Sequence, residues 1–336
     1  MEALQISKHG VPAEVVQLVD ISEPDAPKTN EVLAAVEYAP INQSEQLKIM
    51  GRYPLLPASF PAGVGNEGVA RILSVGNGVA GLKPGDRVLV PAMYPAWRER
   101  ILLPAAGLFA LPAGADPQQL SMLSINPPTA ALLLSEYVDL KPGDWVLQNA
   151  GNSGVGRSVI AIAKSRGLLT ISLVRRPELV DELTERGADV VLVDGPDIAA
   201  RVAKASDNAK IRLAIDGIAG ESTASLSKCL EPGGTVVLYS FTSGKPGLAN
   251  GVDLVFRNVT LRGFWLYSPQ FLGSAKVVQA IKLGAQLVAE GKLAVPIAAT
   301  YSLRSAAAAL AHAQKGGKVL FEISWLSPGG HRTMAR

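Results

Sequence analysis

The run Trp145-Val146-Leu147-Gln148-Asn149-Ala150-Gly151-Asn152-Ser153-Gly154-Val155-Gly156 constrains this chain more than any other segment. A short apolar strand leads into a glycine-rich turn. The turn opens a helical pattern with Val155, Val159, Ile162 and Ala163 on one face. Strand, tight turn and helix in this order are the setting of a dinucleotide fingerprint. Small residues let the backbone turn sharply and approach a pyrophosphate, whose charge meets the free N–H groups and positive dipole end of the helix. Gly151, Asn152, Ser153, Gly154, Val155 and Gly156 are therefore expected to bind a cofactor. Ser153 stands at the middle glycine of G-x-G-x-x-G, and is expected to shift the pyrophosphate slightly or to give it a hydroxyl donor.

The alternation continues downstream. Gly167 ends the first helix, and 170–174 reads as a strand. Pro177 starts a second helix and Gly187 stops it, with Leu179, Val180 and Leu183 as its apolar side. Further strands are expected at 189–193, 213–215 and 235–239. Strands alternating with helices imply parallel βαβ units, right-handed crossovers and a doubly wound α/β sheet. The second strand ends in Arg175-Arg176, with no acidic residue to take the ribose 2′-hydroxyl of NAD. Two guanidiniums suit a 2′-phosphate instead, so NADPH is the expected cofactor. Tyr239 and Ser240 follow the strand residues 235–238, at the carboxyl end where such sheets place ligands.

Upstream the texture differs. Short β-type runs at 32–36, 68–75 and 87–90 lie beside turns such as Lys83-Pro84-Gly85-Asp86. After 268 come helical stretches at 276–290 and 305–314. A chain of 336 residues suits two domains, and we expect 1–122 with 268–336 around an inserted nucleotide-binding domain at 123–267. Apolar residues at 48% against 18% charged provide for large cores. The net charge of +3, with no Lys/Arg cluster, argues against nucleic acid or an acidic membrane as partner. The uncharged stretch 118–135 is interrupted by Gln118, Gln119, Asn126, Pro127 and Pro128, so a membrane helix is not expected there. The first ten residues lack the apolar core of a signal peptide, and a soluble cytoplasmic protein is the expectation. The last residues, 327–336, read as a frayed end. Cys229 is the single cysteine, and His9, His312 and His331 are the only histidines. None has metal-ligand spacing to another, so no metal site is expected.

Several segments together resemble a known family. They are Ile41-Asn42-Gln43-Ser44 with Gly51-Arg52-Tyr53-Pro54, Gly65-Asn66-Glu67-Gly68-Val69, Ala96-Trp97-Arg98, Ile125-Asn126-Pro127, the string from Gln148 to Arg157, and Arg262-Gly263-Phe264-Trp265-Leu266. The likeness is to the zinc-free branch of the medium-chain dehydrogenase/reductase superfamily, the trans-2-enoyl-CoA/acyl-carrier-protein reductases of mitochondria and their bacterial relatives. It implies a Rossmann domain beside a mostly β, GroES-like catalytic domain, with substrate in the cleft between them. Zinc-dependent members carry an early cysteine and a histidine in a G-H-E segment. Here Asn66 stands at that histidine and no cysteine lies near Ser44. Gln43 and Glu45 stand where the family usually has Pro and Asp, and Gly151 where Ala is common.

The resemblance assigns roles as well. It makes Tyr53 catalytic, its hydroxyl stabilising the charge that hydride addition pushes onto a thioester oxygen. The Cα proton would then come from Tyr53 or from water. Asn42 would orient either the nicotinamide ribose or Tyr53, while Asn66-Glu67 is read as a site segment or as turn and core scaffolding. Trp97 and Asn126 would line the substrate cleft, with a buried core aromatic the other reading of Trp97. Phe264 and Trp265 would border the nicotinamide, and Lys318 would approach the cofactor or remain a surface lysine. A homodimer with strands at 259–266 meeting edge to edge is implied. The substrate would be an enoyl thioester on CoA or acyl-carrier protein, or else a quinone, enone or enal. A non-catalytic NADPH-binding protein is the alternative of another class.

Overall fold

The first strand, β1 (Glu2–Ile6), pairs antiparallel with β2 (Val16–Asp20) across the short helix α1 (Pro12–Val15). Next come β3 (Glu31–Ile41) and α2 (Gln43–Ile49), then β4 (Ala62–Gly63), which joins the free side of β1. β5 (Val69–Val75), β6 (Arg87–Leu89), β7 (Arg100–Pro104) and α3 (Pro117–Leu120) complete this stretch. β3 is long enough to serve three neighbours. It pairs with β5 along one side, and its first residues pair with β7 on the other.

The nucleotide-binding unit begins with α4 (Asn126–Ser135) and β8 (Trp145–Gln148), followed by α5 (Gly154–Ser165) and β9 (Leu169–Val174). It continues through α6 (Leu179–Glu185), β10 (Val190–Val193), α7 (Ile198–Ala205) and β11 (Ile211–Asp216). It closes with α8 (Glu221–Cys229), β12 (Thr235–Leu238), α9 (Gly251–Phe256), β13 (Thr260–Gly263) and α10 (Ala275–Ala289). All six strands are parallel, in the order β10-β9-β8-β11-β12-β13. This is the 3-2-1-4-5-6 order of the doubly wound dinucleotide fold. The uncharged stretch around 126 becomes α4, buried almost all round by its neighbours; Pro127 and Pro128 sit in its first turn, where a missing N–H breaks no helical bond. Among the described residues no helix is long and apolar enough to cross a membrane.

The chain then returns to the first unit with β14 (Ile297–Tyr301), α11 (Ala306–Lys315) and β15 (Lys318–Glu322). β15 lies antiparallel on the second half of β3, completing a mixed sheet. The computed structural model describes residues 1–323 and a small antiparallel pair, β16 (Trp325–Leu326) with β17 (Arg332–Thr333). His331 and most of the tail read as a frayed end lie outside the described residues.

Two compact units result, Met1–Ser124 with Ala294–Arg336, and Ile125–Leu293. The return boundary falls at 293, whereas the sequence reading put it at 267. The reason is α10, which packs against α4 and buries Ala280, Gly284, Ala285 and Leu287 in the nucleotide-binding unit.

Candidate active site

The phosphate turn follows the end of β8. Ala150 takes a left-handed φ of 49°, which swings the chain into the turn. Ser153 caps α5, its Oγ accepting the Gly156 N–H at 3.0 Å. Its hydroxyl also shares a hydrogen bond with Tyr239, whose own hydroxyl burial pushes up to about 12. The middle-glycine substitute thus serves first as a helix cap. A Cβ on Gly156 would lie 2.6 Å from the carbonyl oxygens of Ala150 and Gly151, so the turn closes only over a bare backbone. A Cβ on Gly154 would meet Asn126 Nδ2 at 2.7 Å. Asn126 is buried with that Nδ2 lacking a hydrogen-bond partner, so it packs on the phosphate turn, where the sequence reading had it lining an acyl cleft.

Two buried ties missed by sequence reasoning hold the sheet end in shape. Gln148 Nε2 donates to Gly156 O and to Ser172 Oγ, both at 3.0 Å. Asn149 donates to Asp216 Oδ1 at 2.6 Å and accepts from the Gly217 N–H at 2.8 Å. Asp216 is fully buried and further accepts from the Ile218 and Ala219 amides and from Thr223. The available signal was polar residues at strand carboxyl ends. Arg175 and Arg176 are exposed just past β9, and Arg176 is only loosely paired with Glu178, at 3.5 Å. Ser240 and Trp265 are half-buried. Phe264 is buried, tilted against Phe271 with centroids 5.3 Å apart, and its N–H extends the β12–β13 ladder to Leu238. A helix start closed over side-chain-free glycine backbone, an unpaired buried amide beside it and two exposed guanidiniums fit a dinucleotide with a 2′-phosphate.

The catalytic unit has its own polar centre. Tyr53 is half-buried on the loop after α2. His9 braces that loop at both ends: its ring packs on Gly51, donates to the Ile49 carbonyl at 3.2 Å, and meets Phe60 edge-on at 5.0 Å. Asn42 caps α2 in a capping box with Glu45, the Asn-x-x-Glu spacing being a legible signal. Its Nδ2 donates to Glu67 Oε1 at 2.7 Å, and its Oδ1 accepts from Lys318 Nζ at 2.6 Å. Lys318, expected near the cofactor, commits its ammonium to this cluster. Glu45 and Glu67 are both buried. Burial pushes Glu67 up to about 8, opposed by Lys318 and reinforced by Glu45, and burial raises Glu45 as well. Burial lowers Lys318, against the pull of the two carboxylates. Trp97 is fully buried, its ring 5.0 Å from Phe321 and its indole N–H on the Pro40 carbonyl, so it is a core residue.

The segment where zinc-dependent relatives hold their metal does not fit one here. The Asn66 N–H donates to Glu45, and its Oδ1 accepts from the Lys48 ammonium at 3.5 Å. An amide beside a cation is a poor zinc donor set. Among the described residues no group of three His, Cys, Asp or Glu side chains is arranged to hold a metal ion. Cys229 is half-buried with its thiol pushed up to about 12 by burial, and His312 bonds the Tyr301 hydroxyl at 3.0 Å.

Fold and phosphate turn together define an oxidoreductase of the medium-chain dehydrogenase/reductase class. The family model described as an alcohol dehydrogenase GroES-like domain matches residues 28–111, and that described as a zinc-binding dehydrogenase matches 154–286. Mitochondrial enoyl-(acyl-carrier-protein) reductase of Rattus norvegicus is 37% identical over 308 residues, covering 88% of this chain and 81% of that protein. The structure of the Etr1p/NADP/crotonyl-CoA complex superposes with a TM-score of 0.85 at 26% identity, covering 96% of this chain and 99% of that one. Escherichia coli quinone oxidoreductase complexed with NADPH gives a TM-score of 0.82 at 25% identity, covering 96% and 100%. The chain belongs to the medium-chain dehydrogenase/reductase superfamily, in the family of the mitochondrial enoyl-(acyl-carrier-protein) reductases.

Proposed function

We propose that this protein reduces the C=C bond of 2-enoyl thioesters, carried on CoA or acyl-carrier protein, with NADPH as reductant. The observation that carries the reading is the phosphate turn with its exposed arginine pair, in a chain of the enoyl reductase family. The turn from Gly151 to Gly156, with Asn126 and Tyr239 beside it, holds the pyrophosphate, and Arg175 and Arg176 hold the 2′-phosphate. Bound NADPH supplies a hydride for Cβ of the acceptor. Tyr53 donates a hydrogen bond to the thioester oxygen as negative charge gathers there. Tyr53 or water delivers the proton to Cα. Asn42, gripped by Lys318 and Glu67, fixes the start of α2 and so the approach to the Tyr53 loop.

The test is to follow NADPH absorbance with crotonyl-CoA, longer enoyl-CoAs, enals and quinones. Turnover of the enoyl-CoAs well above the rest supports the proposal. Turnover of quinones or enals alone favours the second reading, which the likeness to the E. coli quinone oxidoreductase supports. NADPH binding with no turnover on any acceptor makes the protein a non-catalytic binder.

A homodimer belongs to the same proposal. β13 is an open sheet edge with Thr260, Arg262 and Gly263 exposed. Just before it, α9 exposes Val252, Val255 and Phe256, the last at 81%. An open edge beside exposed apolar side chains suits pairing with a second copy. A cytoplasmic location is also proposed, and cell fractionation checks it, since the rat relative is mitochondrial.

A further inference from the structure

One buried guanidinium has no part in the chemistry above. Arg157 stands in the first turn of α5, directly after Gly156, with its side chain 5% exposed. A cation there opposes the positive end of the helix dipole, and burying it is unfavourable, so its surroundings must compensate. Nε donates to the Asn152 carbonyl at 3.1 Å, inside the phosphate turn. Nη2 pairs with Glu182 Oε1 at 2.7 Å. Glu182 lies on α6, the helix that begins just after Arg175-Arg176-Pro177-Glu178. The rest of α6 docks through Leu179 and Leu183 against Ile160 and Val174, an apolar contact without directional preference. Arg157 thus supplies a directional contact between the turn and α6.

We infer that Arg157 is a positioning residue that sets the preference for a 2′-phosphorylated cofactor. It locks the turn that takes the pyrophosphate to the helix that follows the arginine pair, so the two anion sites keep one spacing. The inference rests on the NADPH reading above.

Calorimetric titration of the full chain tests it, with NADPH, NADH, adenosine 2′,5′-bisphosphate and AMP as ligands. In Arg157→Met, NADPH and the bisphosphate should bind about tenfold more weakly, the scale of one charge-assisted hydrogen bond, while NADH and AMP change little. Glu182→Gln should shift the same ratio in the same direction. The double variant should be no worse than Arg157→Met, because both changes cut one bridge. Equal weakening of NADPH and NADH, or none, overturns the inference. Should Arg157→Met fail to fold, an unchanged NADPH-to-NADH ratio in Glu182→Gln overturns it. Arg175→Ala/Arg176→Ala separates the two levels. If that variant keeps its NADPH preference, the underlying cofactor reading fails. If it loses the preference while both bridge variants keep theirs, only the role of Arg157 fails.

Discussion

Lys318 Nζ reaches Asn42 Oδ1 at 2.6 Å, and the other end of the same amide donates to Glu67 at 2.7 Å. One side chain thus bridges a buried carboxyl group and an ammonium in a single hydrogen-bonded chain. The three residues come from β15, the cap of α2 and the segment before β5, so the amide ties together parts of the chain far apart in sequence. Asn42→Ala leaves both partners short of a hydrogen bond. It should lower stability by about 1–3 kcal/mol in urea unfolding. Unchanged stability would mean that water or a rotated side chain replaces the amide without loss.

Glu67 gives stability a pH dependence. Burial raises its carboxyl from 4.5 to about 8, so between those values the folded state keeps a proton that the unfolded chain releases. Stability from this group is complete at low pH and is lost as pH rises through about 8. Glu45, raised for the same reason, acts in the same direction. Glu67→Gln should therefore flatten the decline in Tm between about pH 5 and pH 8. Equal slopes for the two proteins would show that Glu67 is ionised in the native state throughout.

Tyr53→Phe removes one hydroxyl and little volume. It should lower kcat with an enoyl-CoA by roughly 10- to 1000-fold, taking the loss of one oxyanion donor as the guide. NADPH affinity, read by fluorescence titration, should stay the same. Full turnover in this variant removes Tyr53 from the chemistry.

Gly156→Ala tests the phosphate turn without touching a functional group. The added methyl would sit 2.6 Å from two carbonyl oxygens, and backbone cannot move aside as a flexible side chain can. NADPH binding should fall by at least about tenfold, since a misplaced turn loses charge-assisted contacts to the pyrophosphate. Binding at the parent level would show that the turn can open to accept a side chain.

The Gly151–Gly156 turn, the alternating strands and helices of 145–263, and the arginine pair after β9 were all legible in the amino-acid order. Each is a local pattern, because strand and helix periodicity and turn chemistry act between residues a few positions apart. The likeness of Gly65-Asn66-Glu67-Gly68 to a metal segment that has lost its histidine was legible for the same reason. Only the tertiary structure decided what Asn42, Glu67 and Lys318 do, since their contact needs β3 and β15 to pair across more than two hundred residues of chain. The same holds for Trp97, whose burial depends on Phe321, and for Asn126, which the packing of α4 on α5 brings against Gly154. The return boundary moved for a like reason, because the apolar face of α10 belongs to whichever unit covers it, and that unit contains α4. Residue order sets which groups are available, while burial and pairing between distant segments set which of them meet and in what state of charge.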